Sequence, residues 1–113
     1  MTRISKIAKS PPAAIEDMLN RLGRNIRTAR LRRRLSMEKL AERIGISRYV
    51  MADVEKGKPT TAIAAYLGAL WALGLHNDIR DLADPDRDEE GKILERARSP
   101  RTAPKRKIIA DDF

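Results

Sequence analysis

The 113-residue chain contains no cysteine and only one histidine, His76. Without cysteine there is neither a disulfide framework nor thiolate-held zinc, and one imidazole is too few for a metal site built from protein alone. Aromatic residues make up 4% of the chain. No stretch alternates β-branched or aromatic residues with polar ones, so strands are not expected. No apolar run approaches the ~18 residues a membrane span needs. The residues before Ser10 lack the apolar core of a secretion signal, and a soluble, cytoplasmic, reducing setting is expected. The sequence offers no Ser-His-Asp set, no phosphate-cradling glycine loop and no metal cluster, so no enzyme, cofactor or metal is expected. His76, near a helix end, reads as a cap or surface residue.

What the chain has is charge and helix formers. Lys and Arg number 24 against 16 Asp and Glu, a formal net charge of +8. Such an excess favours a polyanionic partner through phosphate neutralisation and counterion release, unless it serves solubility alone. The length suits one small helical domain with tails, a size whose marginal stability dimerisation would improve. We read residues 1–11 as a flexible basic arm, 12–84 as the domain, and 85–113 as a largely disordered, basic, proline-broken tail.

Within the domain, Ser10 followed by Pro11 and Pro12 predicts the start of a first helix reaching about Arg33. Its apolar face is Ile15, Met18, Leu19, Leu22, Ile26 and Ala29, at three- and four-residue steps. Gly23 interrupts that helix, either as a weak point or to let another helix come close. Ser36 predicts a cap on a second helix, Met37 to Ile44, stopped by Gly45. Ser47 predicts a cap on a third, Arg48 to about Lys56, stopped by Gly57. A fourth is expected from Thr60 or Thr61 to about Leu73, apolar on more than one face, which leaves Trp71 or Tyr66 for a subunit interface. A fifth fits Asn77 to Ala83 with Ile79 and Leu82 inward, and residues 92–98 allow a further turn or two.

Met37 to Lys56 meets the demands of a helix-turn-helix. Ala41 is small enough for a crossing point, and Gly45 accepts the turn's positive φ. Leu40, Ile44, Ile46, Met51 and Val54 supply a shared core. This pattern predicts a helix that enters the major groove of DNA.

Leu22-Gly23, Ile26-Arg27, Arg30, Leu35-Ser36, Leu40-Ala41, Ile44-Gly45-Ile46-Ser47 and Val54-Glu55-Lys56-Gly57 resemble, in order and spacing, the Cro/C1-type (XRE) helix-turn-helix repressors. The resemblance covers about Ala14 to Leu75. It implies an all-α, compact five-helix domain of lambda-repressor-like fold. It also implies a structural ion pair between Arg30 and Glu55, and a recognition helix opening at Ser47 whose first side chains meet base edges. By position, Arg48, Tyr49 and Asp53 face outward, with Ala52 beside them. Arg48 suits either a guanine or a phosphate, Tyr49 a thymine methyl or a phosphate, and Asp53 either a cytosine amine or the bracing of an arginine. The family usually opens its second helix with a glutamine that touches the DNA backbone, where this chain has Met37. Backbone contacts then fall to Ser36, Ser47, Lys39, Arg43, Lys56 and Lys58, with a merely solvated charge the alternative for each of the four cations.

Farther on, the stretch Ala69 to Leu75, then Asp81-Leu82-Ala83-Asp84-Pro85, Asp88 and Gly91 resemble the HipB-like antitoxins paired with HipA-type kinase toxins. That resemblance implies a bacterial, nucleoid-associated homodimer that represses its own operon and binds a Ser/Thr kinase toxin. A stand-alone regulator without a toxin is the alternative. In the tail, Ile108, Ile109 and Phe113 would fill a groove on such a partner, with a frayed end as the other possibility.

Overall fold

The computed structural model describes residues Arg3 to Arg98. Among them there are seven α-helices, one 3-10 turn and no strand. The helices are α1 (Lys6–Lys9), α2 (Ala13–Arg32), α3 (Met37–Ile44), α4 (Arg48–Lys56), α5 (Ile63–Ala72), α6 (Asn77–Arg80) and α7 (Glu89–Arg98), with the 3-10 turn at Pro85–Arg87. No helix is long and apolar enough to cross a membrane. The chain divides into two compact units, one up to Ile79 and one from Arg80.

In the first unit, α2, α3, α4 and α5 close one core. Ile26, Leu40, Met51 and Val54 are fully buried at its centre, joined by Ala29, Ala41, Ala65, Tyr66, Ala69 and Leu73. Leu19, Leu22, Ile44, Ile46 and Val50 pack partly buried around it. The limits of α3 and α4 follow from their caps. Ser36 Oγ accepts the Lys39 N–H at 3.0 Å, and Ser47 Oγ accepts the Val50 N–H at 3.1 Å. Each thereby satisfies a donor that a helix start would otherwise leave unpaired. At the other end, Gly45 (φ 75°) lets Ile46 N–H turn back to the Ala41 carbonyl at 3.0 Å. Lys58 N–H does the same to Asp53, 3.1 Å away, beyond Gly57.

Helix α2 packs closely against α4. A Cβ on Gly23 would lie 2.5 Å from the Glu55 carbonyl oxygen and 2.8 Å from both the Gly57 nitrogen and the Val54 oxygen. A Cβ on Gly57 would strike the backbone of Leu19 and Asn20. Gly23 is therefore no weak point: it lets α2 touch the backbone at the C-terminal end of α4.

Several expectations are corrected. Ser10 does not cap α2. Its N–H closes α1 onto the Lys6 carbonyl, and Pro12, whose carbonyl accepts the Ile15 and Glu16 N–H groups, stands as N-cap without a side-chain bond. The basic arm is not wholly irregular, since Ser5 caps the single-turn α1 through Ala8 N–H. Met18 lies exposed on α2, outside the core-facing stripe. Helix α5 starts later than Thr61, because Thr61 N–H folds back to the Lys58 carbonyl in a turn. Helix α6 stops at Arg80, well short of Ala83, which takes φ 59°, and Leu82 is exposed rather than inward.

In the second unit, the described residues after Asp84 form the 3-10 turn and α7, where the sequence suggests a turn or two of helix over residues 92–98. Asp84 accepts the Asp86 N–H to open the 3-10 turn, and Asp88 accepts the Gly91 N–H to open α7. Lys92 Nζ donates to the Asp86 carbonyl at 2.6 Å, and Arg87 pairs with Asp81 at 3.4 Å. The expected tail contacts Ile108, Ile109 and Phe113 lie outside the described residues.

Replacing Gly23 by alanine should destabilise the domain by about 1–3 kcal/mol, since a backbone cannot yield as a side chain can. Urea unfolding of Gly23→Ala against the wild-type chain measures this; an unchanged midpoint would mean that α2 and α4 have room to part.

Candidate nucleic-acid interface

Arg30 and Glu55 make the strongest polar contact between α2 and α4. The guanidinium is bidentate on the carboxylate, Nε to Oε2 at 2.6 Å and Nη2 to Oε1 at 3.0 Å. Its remaining Nη1 donates to the Leu35 carbonyl at 2.8 Å. Both residues are buried, at 6% and 8% exposure. Arg27 Nε stands 4.0 Å from Glu55 Oε1 but is largely exposed. Two desolvated charges hold together only when paired and hydrogen-bonded, and here no buried polar side-chain atom of the described residues lacks a partner. The pair fixes the C-terminal half of α4 against α2, and with it the direction in which the N-terminal half projects.

That N-terminal half carries Arg48, Tyr49, Ala52 and Asp53. Arg48 and Ala52, like Tyr49 and Asp53, are four residues apart and share a face of α4. Tyr49 is 77% exposed, and Arg48 is exposed with its Cζ 5.9 Å from the Tyr49 ring centroid. That is within cation–π range, so the guanidinium is partly ordered while its donors stay open. Ala52 and Asp53 are half-buried. Asp53 has its own partner in Lys58 Nζ at 4.0 Å.

The residues expected on the DNA backbone fall on three segments. Lys39 and Arg43 are exposed on α3, Lys56 is exposed at the end of α4, and Lys58 follows in the turn. Ser36 and Ser47 stand at the starts of α3 and α4. Each hydroxyl is used as an acceptor by its cap, which leaves its proton to give to a phosphate oxygen. Met37 is half-buried and packs on the core. It therefore contributes apolar contact where the resembled family has a polar one.

Sequence reasoning left open whether Tyr66 served an interface; it faces inward. Its hydroxyl donates to the Lys58 carbonyl at 2.7 Å and only 4% of the residue is exposed. Desolvation, with the nearby Asp53 carboxylate adding to it, pushes its phenol up to about 12. Tyr66 thus braces the turn that carries Lys58. Nothing in its spacing marks this role, because the bond runs to a backbone carbonyl.

Comparison with protein-family models, with curated proteins and with solved structures finds no match. Among the described residues no group of His, Asp or Glu could hold a metal ion. The second unit has a shallow open pocket lined by Asp81, Ala83, Asp84, Arg87 and Asp88, in which Arg87 and Asp81 are already paired.

Glu55→Ala should cost about 3–5 kcal/mol, because it strands the Arg30 charge in the core. The double replacement Arg30→Met with Glu55→Leu should recover most of that loss in chemical denaturation; a double variant as unstable as the single would assign the cost to packing. The Tyr66 phenol makes a second test. Its folded pKa lies above the unfolded value, so its stabilisation is complete below pH 10 and is lost as pH rises toward 12. Over that interval it contributes a slope of up to about −1.4 kcal/mol per pH unit. The Tyr66→Phe variant should lack this component of alkaline unfolding, and equal slopes in the two proteins would count against it.

Proposed function

We propose that the chain is a sequence-specific DNA-binding repressor that places α4 in the major groove, acting as a homodimer on a twofold operator. One observation carries this reading. The α3–turn–α4 unit, Met37 to Lys56, is capped by serine at both helix starts and locked to α2 by Arg30 and Glu55, while Arg48 and Tyr49 lie exposed on its outer face. This arrangement supports the reading drawn from the resemblance to lambda-repressor-like domains, in which the start of the second helix meets base edges. Arg48 reads a guanine through two donors and Tyr49 packs on a thymine methyl or a phosphate. Lys39, Arg43, Lys56, Ser36 and Ser47 hold phosphates, and the net charge of +8 makes that holding salt-dependent.

The finer reading is an antitoxin that represses its own operon and binds a HipA-type Ser/Thr kinase. The likeness of residues 69–91 to HipB-like antitoxins supports it. Co-expression of the full chain with such a kinase, followed by co-purification and a kinase assay, tests this part separately. A kinase that neither co-purifies nor loses activity leaves a stand-alone regulator.

The DNA reading is tested by selecting duplexes from a random pool with the full chain. A palindromic site should emerge, bound about a thousandfold or more tighter than unrelated DNA at the same salt. Equal binding to all duplexes would make the protein a non-specific architectural binder. On the selected site, Arg48→Ala should cost about 1–3 kcal/mol and relax preference at one base position. A uniform loss on every sequence would assign Arg48 to a phosphate.

A further inference from the structure

Helix α5 contains no charged residue, and the chain carries none from Pro59 to Asn77. In a chain that is 35% charged, no other helix of the described residues is free of charge. Its inner face, Ala65, Tyr66 and Ala69, is buried in the core. The outer face is also apolar. Ile63, Leu67 and Trp71 follow at four-residue steps and are 72%, 38% and 62% exposed. Spaced this way they form one stripe along the helix. Tyr66 is turned away from it, its hydroxyl committed to the Lys58 carbonyl.

We propose that the Ile63–Leu67–Trp71 stripe is the surface on which a second copy of this chain docks, α5 against α5 across a twofold axis. The charge distribution selects that occupant. Two copies of net charge +8 repel each other. Pairing through the outer side of α2 would set the exposed Arg21, Arg24 and Arg27 of one copy against those of the other. The α5 stripe brings two copies together without opposing like charges. A twofold interface places the same patch on both sides, so a patch needs to be complementary to itself. An uncharged apolar stripe meets that condition, whereas a charged partner would find no ion to pair with on it. Leu67, in the middle and the least exposed of the three, lies nearest the axis. When the helices cross antiparallel, Trp71 of one copy covers Ile63 of the other, and the indole N–H stays at the wet rim. The surface is thus set by α5 and owes nothing to the outer face of α4, so association without DNA is a separate question from base reading.

Trp71 is the chain's single tryptophan and reports its own burial. Sedimentation of the full chain without DNA should show two copies at tens of micromolar and one after dilution. Trp71 emission should shift to the red over the same concentrations. Trp71→Glu and, independently, Leu67→Lys should each sediment as one copy at every concentration, with the helical circular dichroism of the wild type. Both should bind a single half-site within about twofold of the wild-type affinity while losing the tighter binding to the full palindrome. A dimer that forms and dissociates in this way but binds no DNA supports the interface and removes only the base-reading proposal. Three results overturn the interface: a wild-type chain that stays single throughout the range, a dimer that survives both substitutions, or blue emission unchanged by dilution, which would put the chain's own residues over Trp71.

Discussion

Arg30 and Glu55 sit on different helices and are both buried, and the first unit is arranged around keeping them paired. Desolvating each ion costs several kcal/mol, which their attraction returns only when every donor and acceptor is engaged. Here the Nε and Nη2 donors meet the two carboxylate oxygens and Nη1 meets the Leu35 carbonyl. A pair of this kind adds little net stability compared with well-packed apolar residues. What it contributes is discrimination, since any shift of α4 along or away from α2 opens a bond inside the core. The close approach that the pair requires is met by Gly23 on α2 and Gly57 just past α4, where no side chain stands between the backbones. Two glycines and one ion pair thus define a single crossing, and the projecting half of α4 is aimed by it.

The parts of the fold that a reader can recover from the sequence are those with their signals inside the segment. Helices α3 and α4 are bracketed by Ser36 and Gly45, then Ser47 and Gly57, and each cap acts on donors or carbonyls of its own helix. Where an end depends on a neighbour, the sequence misleads. Ser10 looks like a cap for α2, yet two prolines separate it from the helix and its N–H closes α1 instead. Thr61 looks like a cap for α5, yet its N–H turns back to Lys58. Tyr66 and Trp71 are both aromatic on an all-apolar helix, and only the placement of the Lys58 carbonyl decides which faces inward. The outward set on α4 is legible from position within the helix, whereas the pairing of Asp53 with Lys58 crosses a turn and is not.

Asp84, Asp88 and Gly91 illustrate the limit of reading function from short motifs. All three belong to the likeness with HipB-type antitoxins, and all three have a local task. Asp84 opens the 3-10 turn, Asp88 opens α7, and a Cβ on Gly91 would collide with the Asp88 carboxylate that its N–H binds. Capping alone accounts for these residue types at these positions, so their presence speaks for a turn followed by a helix before it speaks for any partner.

The Asp53–Lys58 pair shows how the same surface can be held and yet available. At 4.0 Å, with both side chains about half exposed, such a pair is worth roughly 0–1 kcal/mol and is weakened by salt. On the proposed DNA reading, a phosphate entering beside Lys58 would displace Asp53 at small cost and gain a charge-assisted bond. Asp53 would then lose its cation while remaining on α4, and would be left to accept from a donor such as the cytosine amine. The backbone of Lys58 does not move with its side chain, because Tyr66 holds the carbonyl and Gly57 holds the turn. Rigid backbone with weakly tethered charge lets the cation trade partners without disturbing the crossing that Arg30 and Glu55 fix.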